Sequence, residues 1–253
     1  MKKLISLILS AVLTFSVIPN MEVKAASIKE QAGKAYADII QNYLDASENK
    51  KNNPEYYWSN TPPNTINPEF VRYCDGYNAI YRIMDFNNDG APELFVGLKD
   101  SNTYNIYDVY TFYNGKAVRL IEEDIGDRMG TCILCKNGII EDNESGGAYD
   151  YDTRFHKLPK NKNKLKEVMK LASEGYYDNK DAEYKSKYSK TVNGKKSKIS
   201  KKKCSELYKR YSKRIKVTFY KADRQAISSI REGVFNYPSQ KKWKLKSWKG
   251  KFF

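Results

Sequence analysis

The chain is 253 residues long, and its 45 lysines and arginines against 30 aspartates and glutamates give a formal net charge of +15. Its content of 40% hydrophobic and 13% aromatic residues is enough to build a core and argues against wholesale disorder. A single histidine, His156, argues against histidine-based metal sites and catalytic triads. The composition therefore indicates one large globular domain, with or without an appended module, that favours polyanionic partners.

Residues 1–26 have the layout of a secretory signal peptide. Lys2 and Lys3 precede the apolar run Leu4–Val17, and Val23–Ala25 supplies small residues for a peptidase site. The alternative is a membrane anchor, but this run is short for a hydrocarbon core of about 30 Å. We therefore expect a secreted protein that is released, or held non-covalently at the cell wall. Export excludes an intracellular nucleic acid as the partner.

Charge divides the rest of the chain into two parts. Residues 27–154 carry 12 basic and 21 acidic side chains, whereas residues 155–253 carry 30 basic and 8 acidic ones. The first part suits cations and the second suits anions. We expect an acidic α+β domain over 27–175, a basic hairpin with helices over 176–237 packed on the same domain, and a lysine- and tryptophan-rich tail over 238–253.

A helix is predicted from Ser27 to about Ser47, because Ser27 and Glu30 form a capping box and apolar residues follow at helical spacing. The helical period returns after Ile199, where Ser200 is a suitable N-cap, and a second short helix fits Asp223–Arg231.

Between these helical segments, from Ala79 onward, apolar and polar residues alternate with a period of two, which is typical of strands. Asn-Gly pairs, which favour the type I′ turns of β-hairpins, lie at Asn114–Gly115, Asn137–Gly138 and Asn193–Gly194. The segment Leu165–Ala172 fits either a strand or a short helix. The sequence therefore predicts an α+β fold, in which an N-terminal helix packs on an antiparallel β-meander that a basic helical segment follows.

The sharpest motif is the loop DFNNDGAPE, from Asp85 to Glu93. Oxygen atoms at alternating positions of a tight loop can converge on a hard cation such as Ca²⁺, and Gly90 permits the sharp turn. The predicted ligands are the side chains of Asp85, Asn87, Asp89 and Glu93 and the carbonyl group of Ala91. The alternatives are a hairpin turn without an ion and, as a minor option, Mg²⁺, which demands octahedral geometry.

The loop is not a full EF-hand, because Val96 occupies the position of the bidentate glutamate and strands flank it. It resembles instead the Dx[DN]xDGxx[DE] loops of integrin-type FG-GAP repeats and related bacterial secreted repeats. More loosely, the stretch from YRIMDFNNDGAPELFVGL, which begins at Tyr81, to the segment Val192–Lys195 resembles a group of secreted Gram-positive domains with a single loop of this kind. The resemblance implies secretion and a metal loop, and it implies no activity.

Four cysteines, Cys74, Cys132, Cys135 and Cys204, are even in number in a chain that we expect to be exported, where disulfides can form. Cys132 and Cys135 lie three residues apart on a predicted strand, so they should point to opposite faces, with at most one buried. This geometry argues against a bond between them and against a redox role. One long-range disulfide or free buried thiols remain open.

His156 lies on an alternating strand, and we expect a structural role for it. Asp150 or Asp152 could support it as a general base, but no nucleophile motif accompanies these residues. An enzyme is therefore not indicated. The alternative is a secreted hydrolase whose catalytic residues are not recognisable in the sequence.

A basic and aromatic surface is predicted in the C-terminal part, because interleaved cations and aromatic rings bind anionic polymers and membrane interfaces. Its residues are Lys201, Lys202, Lys203, Lys209, Arg210, Lys241, Lys242, Trp243, Lys244, Lys246, Trp248, Lys249 and Lys251. The alternative is a solvated tail whose tryptophans pack back on the domain. The functional hypothesis is a secreted, calcium-stabilised module that adheres to teichoic acid, an anionic lipid surface or a matrix polyanion. A further alternative is an accessory protein with only a structural ion.

Overall fold

The computed structural model of the protein describes residues 27–53, 66–74, 78–121, 132–145, 150–181, 183–235 and 241–247. The predicted signal peptide lies outside these residues. None of the helices within them is long and apolar enough to cross a membrane.

The described residues contain four α-helices, and each begins at a side-chain cap. In α1 (Ile28–Asn52), the Ser27 hydroxyl accepts the Glu30 N–H and the Glu30 carboxylate accepts the Ser27 N–H, which is the predicted capping box. The other helices and their caps are α2 (Pro68–Tyr73) with Asn67, α3 (Lys201–Tyr211) with Ser200, and α4 (Arg224–Arg231) with Asp223. The helices predicted at α1, α3 and α4 are confirmed.

Twelve strands form one sheet in the part of the chain that the structure describes. They are β1 (Asn78–Met84), β2 (Glu93–Asp100), β3 (Thr103–Tyr113), β4 (Lys116–Arg119), β5 (Cys132–Cys135), β6 (Ile139–Ser145), β7 (Tyr151–Lys157), β8 (Lys166–Asp178), β9 (Glu183–Val192), β10 (Lys195–Ile199), β11 (Val217–Lys221) and β12 (Lys242–Ser247). The pairings are antiparallel apart from a short parallel contact between β12 and β3.

Five of these strands close into a ring. β3 pairs with β2, β2 with β1, β1 with β11 and β11 with β12, which returns to the first residues of β3. Strands β5 to β10 continue the sheet from β3, each paired with the next, and we name these six strands the extension. Gly97 lies at a bulge between β2 and β3, where an added Cβ would be 2.1 Å from the Asn105 carbonyl oxygen. Glycine is therefore required for the two strands to approach there.

The expectation of an α+β fold is wrong, because strands make up 47% and helices 29% of the described residues. The segment 176–237, which we expected to form a hairpin and helices, also contributes β11 to the ring, and the expected tail over 238–253 contributes β12. The ambiguous segment Leu165–Ala172 lies almost entirely in β8. Strands of five or six residues show a period of two only briefly, so their partners in the sheet decide their conformation.

The three Asn-Gly turns are confirmed. Both residues of each pair have positive φ angles, between 49° and 77°, as the type I′ turn requires. The turns connect β3 to β4, β5 to β6 and β9 to β10.

Apolar side chains are buried on both faces of the sheet. One cluster, with Phe95 and Phe219, fills the ring, and a second cluster, with Tyr36, lies between the ring and helices α1 and α4. A third cluster, with Phe155 and Cys204, lies under α3 on the extension. The helices therefore act as covers for a continuous sheet.

Cys132 and Cys135 point to opposite faces of β5, because Cys132 packs in the ring cluster and Cys135 in the cluster under α3. The expectation that at most one of them is buried is wrong, since their exposures are 4% and 0%. Both faces of β5 are covered. All four cysteines are buried, and none of them forms a disulfide bond.

Candidate functional site

The predicted calcium loop is the connection between β1 and β2. The Asp85 carboxylate accepts the backbone N–H groups of Asp89 and Gly90, both at 3.0 Å. Gly90 has a φ of +92°, which lets the chain reverse. The loop is therefore folded around the Asp85 side chain.

Asn87 and Asp89 bind each other inside this loop. Nδ2 of Asn87 donates to Oδ2 of Asp89 at 2.9 Å, and Oδ1 of Asn87 accepts the Asp89 N–H at 3.1 Å. Oδ1 of Asp89 accepts the Ala91 N–H at 2.9 Å. The loop thus brings the predicted ligands Asp85, Asn87 and Asp89 together.

Glu93, the predicted ligand at the start of β2, is fully buried. Its carboxylate accepts the Phe86 N–H at 2.8 Å and the Thr111 hydroxyl at 3.2 Å. Burial raises the pKa of Glu93 to about 7, and the nearby charges of Asp89 and Asp85 act in the same direction. The loop therefore concentrates negative charge next to a buried carboxyl group.

Segments distant in the sequence hold the loop in place. The Tyr36 hydroxyl of α1 donates to the Pro92 carbonyl oxygen at 2.7 Å, and the Asn161 N–H donates to Oδ2 of Asp89 at 2.9 Å. Asn161 belongs to the connection between β7 and β8. A loop that is tied to α1 and to this connection has a defined shape before any ligand binds.

The oxygen atoms of the loop fit the chemistry of Ca²⁺, which prefers oxygen ligands. A carboxylate offers about four lone-pair sites, so the hydrogen bonds to backbone N–H groups leave others for a cation. Within the described residues, no group of three acidic, histidine or cysteine side chains is arranged to hold a metal ion. Calcium at this loop therefore stays a prediction, which requires the Asn87 oxygen and the Ala91 carbonyl beside the carboxylates.

Helix α3 presents its predicted binding residues to solvent. Lys201, Lys202, Lys203, Lys209 and Arg210 are all exposed. Lys203 forms an ion pair with Glu206 at 3.5 Å. Glu206 is the one acidic residue between positions 187 and 216, where 13 residues are basic. The positive charge of this region is therefore mostly uncompensated locally.

The residues that we expected in a C-terminal tail lie instead in strand β12 of the ring. Trp243 and Leu245 pack in the ring cluster, and Lys242 and Lys244 alternate with them and are exposed. The exposed Lys241 places its ammonium group 5.3 Å from the centre of the Trp243 ring. Lysine therefore alternates with apolar residues here because one face of the strand is exposed and the other is buried.

The structure does not unite all the predicted binding residues. Helix α3 covers the extension, whereas β12 belongs to the ring. Lys246 lies in β12, but its side chain is outside the described part, as are Trp248, Lys249 and Lys251.

Sequence reasoning missed Asp108, a fully buried acid of β3. Its Oδ1 lies 2.6 Å from Nε of Arg119, and the Tyr43 hydroxyl donates to Oδ2. The same hydroxyl accepts the Asn67 N–H at 3.0 Å. Burial raises the pKa of Asp108 to about 6, although the Arg119 charge opposes this effect. An acid within the apolar strand TYNIYDVYTFY was the available signal.

Glu141 of β6 is a second fully buried acid that was missed. Its Oε1 accepts the Tyr208 hydroxyl at 3.2 Å and lies 3.3 Å from Nη2 of Arg214. The Ser212 hydroxyl donates to Oε2, and Nδ2 of Asn143 donates to Oε1 at 3.1 Å. We name these five residues the Glu141 network, and it fastens the end of α3 to the sheet.

His156 lies on β7 and is buried. Its Nε2 is 3.7 Å from Oδ2 of Asp142, which also binds Nε of Arg154 at 3.1 Å. Asp142 lies on β6, so the acid beside the histidine comes from the neighbouring strand and is neither Asp150 nor Asp152. This buried cluster agrees with the structural role that we expect.

No protein-family model and no curated protein matches this chain. Among solved structures, a Xanthomonas type IV secretion system related protein is similar to it, with a TM-score of 0.30 and 16% sequence identity. The similarity covers 47% of this chain and 57% of that chain, so the match spans little more than half of that protein. A similarity at this level carries no argument about fold or function.

Proposed function

We propose that this protein is a secreted binding module for anionic polymers of the cell envelope or the extracellular matrix. The observation that carries the proposal is the stretch from Lys187 to Lys216, with 13 basic residues and one acidic residue. It covers α3, β10 and half of β9, and most of its cations are exposed. A polyanion would relieve the repulsion among these charges and release counterions.

The arrangement of these cations suits an extended ligand. Strand β10 lies at the edge of the sheet, and α3 begins two residues after it ends. Exposed lysines therefore continue from the edge strand into the first turn of the helix. Lysines on an edge strand also prevent pairing with another chain, but that role does not require the lysines of α3.

The proposed polymer binding predicts salt-sensitive retention on cell walls. Retention of the mature protein on purified walls that carry teichoic acid should fall steeply as salt rises above about 0.1 M, where the Debye length is about 10 Å. A variant with Lys201→Gln, Lys202→Gln and Lys203→Gln should elute at lower salt than the wild type. Absence of retention of the wild type at low salt would overturn the proposal.

A matched control removes three exposed lysines from α1 and β4, namely Lys34→Gln, Lys51→Gln and Lys116→Gln. It should elute close to the wild type, and equal effects of both triple variants would show that net charge alone is responsible. A third variant, Lys242→Gln with Lys244→Gln, tests the exposed face of β12. A truncation before β12 is unsuitable, because it removes a strand of the ring.

The second component of the proposal is that Ca²⁺ stabilises the loop Asp85–Glu93. Extracellular modules bind calcium at about 10⁻⁴–10⁻³ M, so about 10 mM calcium should add about 1–3 kcal/mol to the free energy of unfolding. This corresponds to a rise of roughly 3–10 °C in melting temperature relative to the protein in a chelator. Asp89→Asn should abolish most of this rise. The prediction is contradicted if the wild type melts equally under both conditions, or if Asp89→Asn keeps the full response.

One cleft bears on the alternative of a hydrolase. It has a volume of about 560 Å³ on the extension, and its acidic residues are Glu144, Asp150, Asp152 and Glu174. Three of these carboxylates form ion pairs with arginine or lysine at 2.5 or 2.6 Å, and Asp150 accepts a backbone N–H at 2.7 Å. Because each acid is already bound by a cation or an N–H group, this cleft offers no unpaired carboxylate to the alternative of a hydrolase.

A further inference from the structure

A cleft of about 360 Å³ lies where the end of α3 meets the β5–β6 turn and the end of β7. Its charged lining residues are Lys136, Lys157, Arg210 and Lys213, which we name the cationic cleft. No acidic side chain among the described residues lines it. Its size is at the lower end of the range for small-molecule sites.

The cationic cleft is assembled from segments far apart in the sequence. The Lys136 N–H donates to the Lys213 carbonyl oxygen at 2.8 Å, which joins the β5–β6 turn to the chain after α3. Lys157 is paired with Ile139 across β7 and β6. The Glu141 network holds the end of α3, and with it Arg210, over these strands. The cleft is thus a consequence of the fold and not of a run of basic residues.

The charges of the cationic cleft are uncompensated within the described part of the chain, where none of its four cations forms an ion pair with a carboxylate. The C-terminus of α3 contributes the equivalent of about half a negative charge, which is far less than the four positive charges. Like charges that share a cleft repel one another, so the site favours an anion that replaces their counterions.

We propose that the cationic cleft binds the phosphoryl group of a phosphomonoester. Arg210 offers a planar fork for two phosphate oxygens, and the three lysines add point charges. A phosphomonoester carries about 1.5 to 2 negative charges at pH 7 and offers three acceptor oxygens, so it offsets more of this charge than a singly charged ester. Ile139, Val168 and the ring of Tyr211 provide apolar surface for the organic part of the ligand. The inference goes beyond the proposed function, because polymer retention by surface charge does not require a cleft.

Calorimetric titration of the mature protein with glycerol 3-phosphate tests this inference. Glycerol 3-phosphate should bind at least tenfold more tightly than dimethyl phosphate or methyl sulfate, each of which carries one charge. Arg210→Gln with Lys213→Gln should weaken glycerol 3-phosphate binding at least tenfold, because it removes two charged donors. The matched control, Lys201→Gln with Lys202→Gln, removes the same charge from the other end of α3 and should change affinity less than twofold.

A second pair, Lys136→Gln with Lys157→Gln, leaves α3 intact and should also weaken binding at least tenfold. Equal binding of methyl sulfate, or equal losses in the cleft and control variants, would overturn the inference. Inorganic phosphate serves as the comparison for the source of the phosphoryl group. Equal affinity for it would identify free phosphate as the ligand and overturn the phosphomonoester assignment. If glycerol 3-phosphate does not bind but wall retention persists, the inference fails while the proposed function stands.

Discussion

Replacement of Glu141 by alanine is expected to lower the free energy of unfolding by about 3–5 kcal/mol, because Arg214 loses the carboxylate that it binds in a largely buried position. The Tyr208 and Ser212 hydroxyls and the Asn143 amide lose their acceptor at the same time. Urea unfolding measures the change, which corresponds to a fall of roughly 10 °C in melting temperature.

The matched control is Glu144→Ala, on the same strand. The Glu144 side chain is 54% exposed and forms an ion pair with Arg154 at 2.6 Å, and exposed pairs contribute about 0–1 kcal/mol. Glu141→Gln keeps the size of the side chain, so its loss of unfolding free energy should lie between the losses of the two alanine variants. If Glu141→Ala and Glu144→Ala destabilise the protein equally, the Glu141 network does not hold α3. Loss of the network should also weaken glycerol 3-phosphate binding, since α3 carries Arg210.

The second large effect is a pH-dependent stability that comes from Asp108. Its pKa is raised from the ordinary 3.8 to about 6, chiefly by burial. Between these values the folded carboxyl group keeps its proton while the unfolded one has lost it, so a rise in pH favours unfolding. Relative to Asp108→Asn, the wild type should therefore lose about 2.5 kcal/mol of unfolding free energy between pH 4 and pH 7, which is most of the roughly 3 kcal/mol that the full shift represents at about 1.4 kcal/mol for each pKa unit.

The measurement is urea unfolding of both proteins at several pH values in this range. Other titrating groups are shared, so their contributions cancel in the difference between the two proteins. The free energy of unfolding of the wild type should exceed that of Asp108→Asn by the largest amount near pH 4. This difference between the two proteins should level off above pH 6. A difference that is independent of pH, or that grows in favour of the wild type as pH rises, would contradict the raised pKa of Asp108.

The elements that could be predicted depend on residues close together in the chain. The Ser27 capping box needs a partner three residues away, and each Asn-Gly turn needs two residues with positive φ. Strand β12 was not predicted, because its conformation depends on β11 and β3, and residues 103–104 of β3 are more than 140 positions away. Its alternation was visible, but only pairing with β11 shows that Trp243 faces the ring interior.

The candidate sites divide in the same way. The oxygen spacing from Asp85 to Glu93 is a property of nine consecutive residues, whereas the bond from Asn161 to Asp89 joins residues 72 positions apart. The exposed cations of α3 were predicted from composition. The cationic cleft was not, because its members come from three separate segments that only the fold brings together.

The sequence by itself determined the caps of α1 and α3, the hairpin turns, the charge asymmetry and the loop motif, since each depends on neighbouring residues or on composition. Only the tertiary structure decided that five strands close into a ring, that Asp108 and Glu141 are buried, and that four cations share one cleft. The physical reason is that burial is set by which distant segment covers each face of a strand. The segment that covers a carboxylate or an ammonium group sets its burial and the charges beside it, and therefore its pKa and its binding partners. The spacing of residues along the chain does not specify that segment.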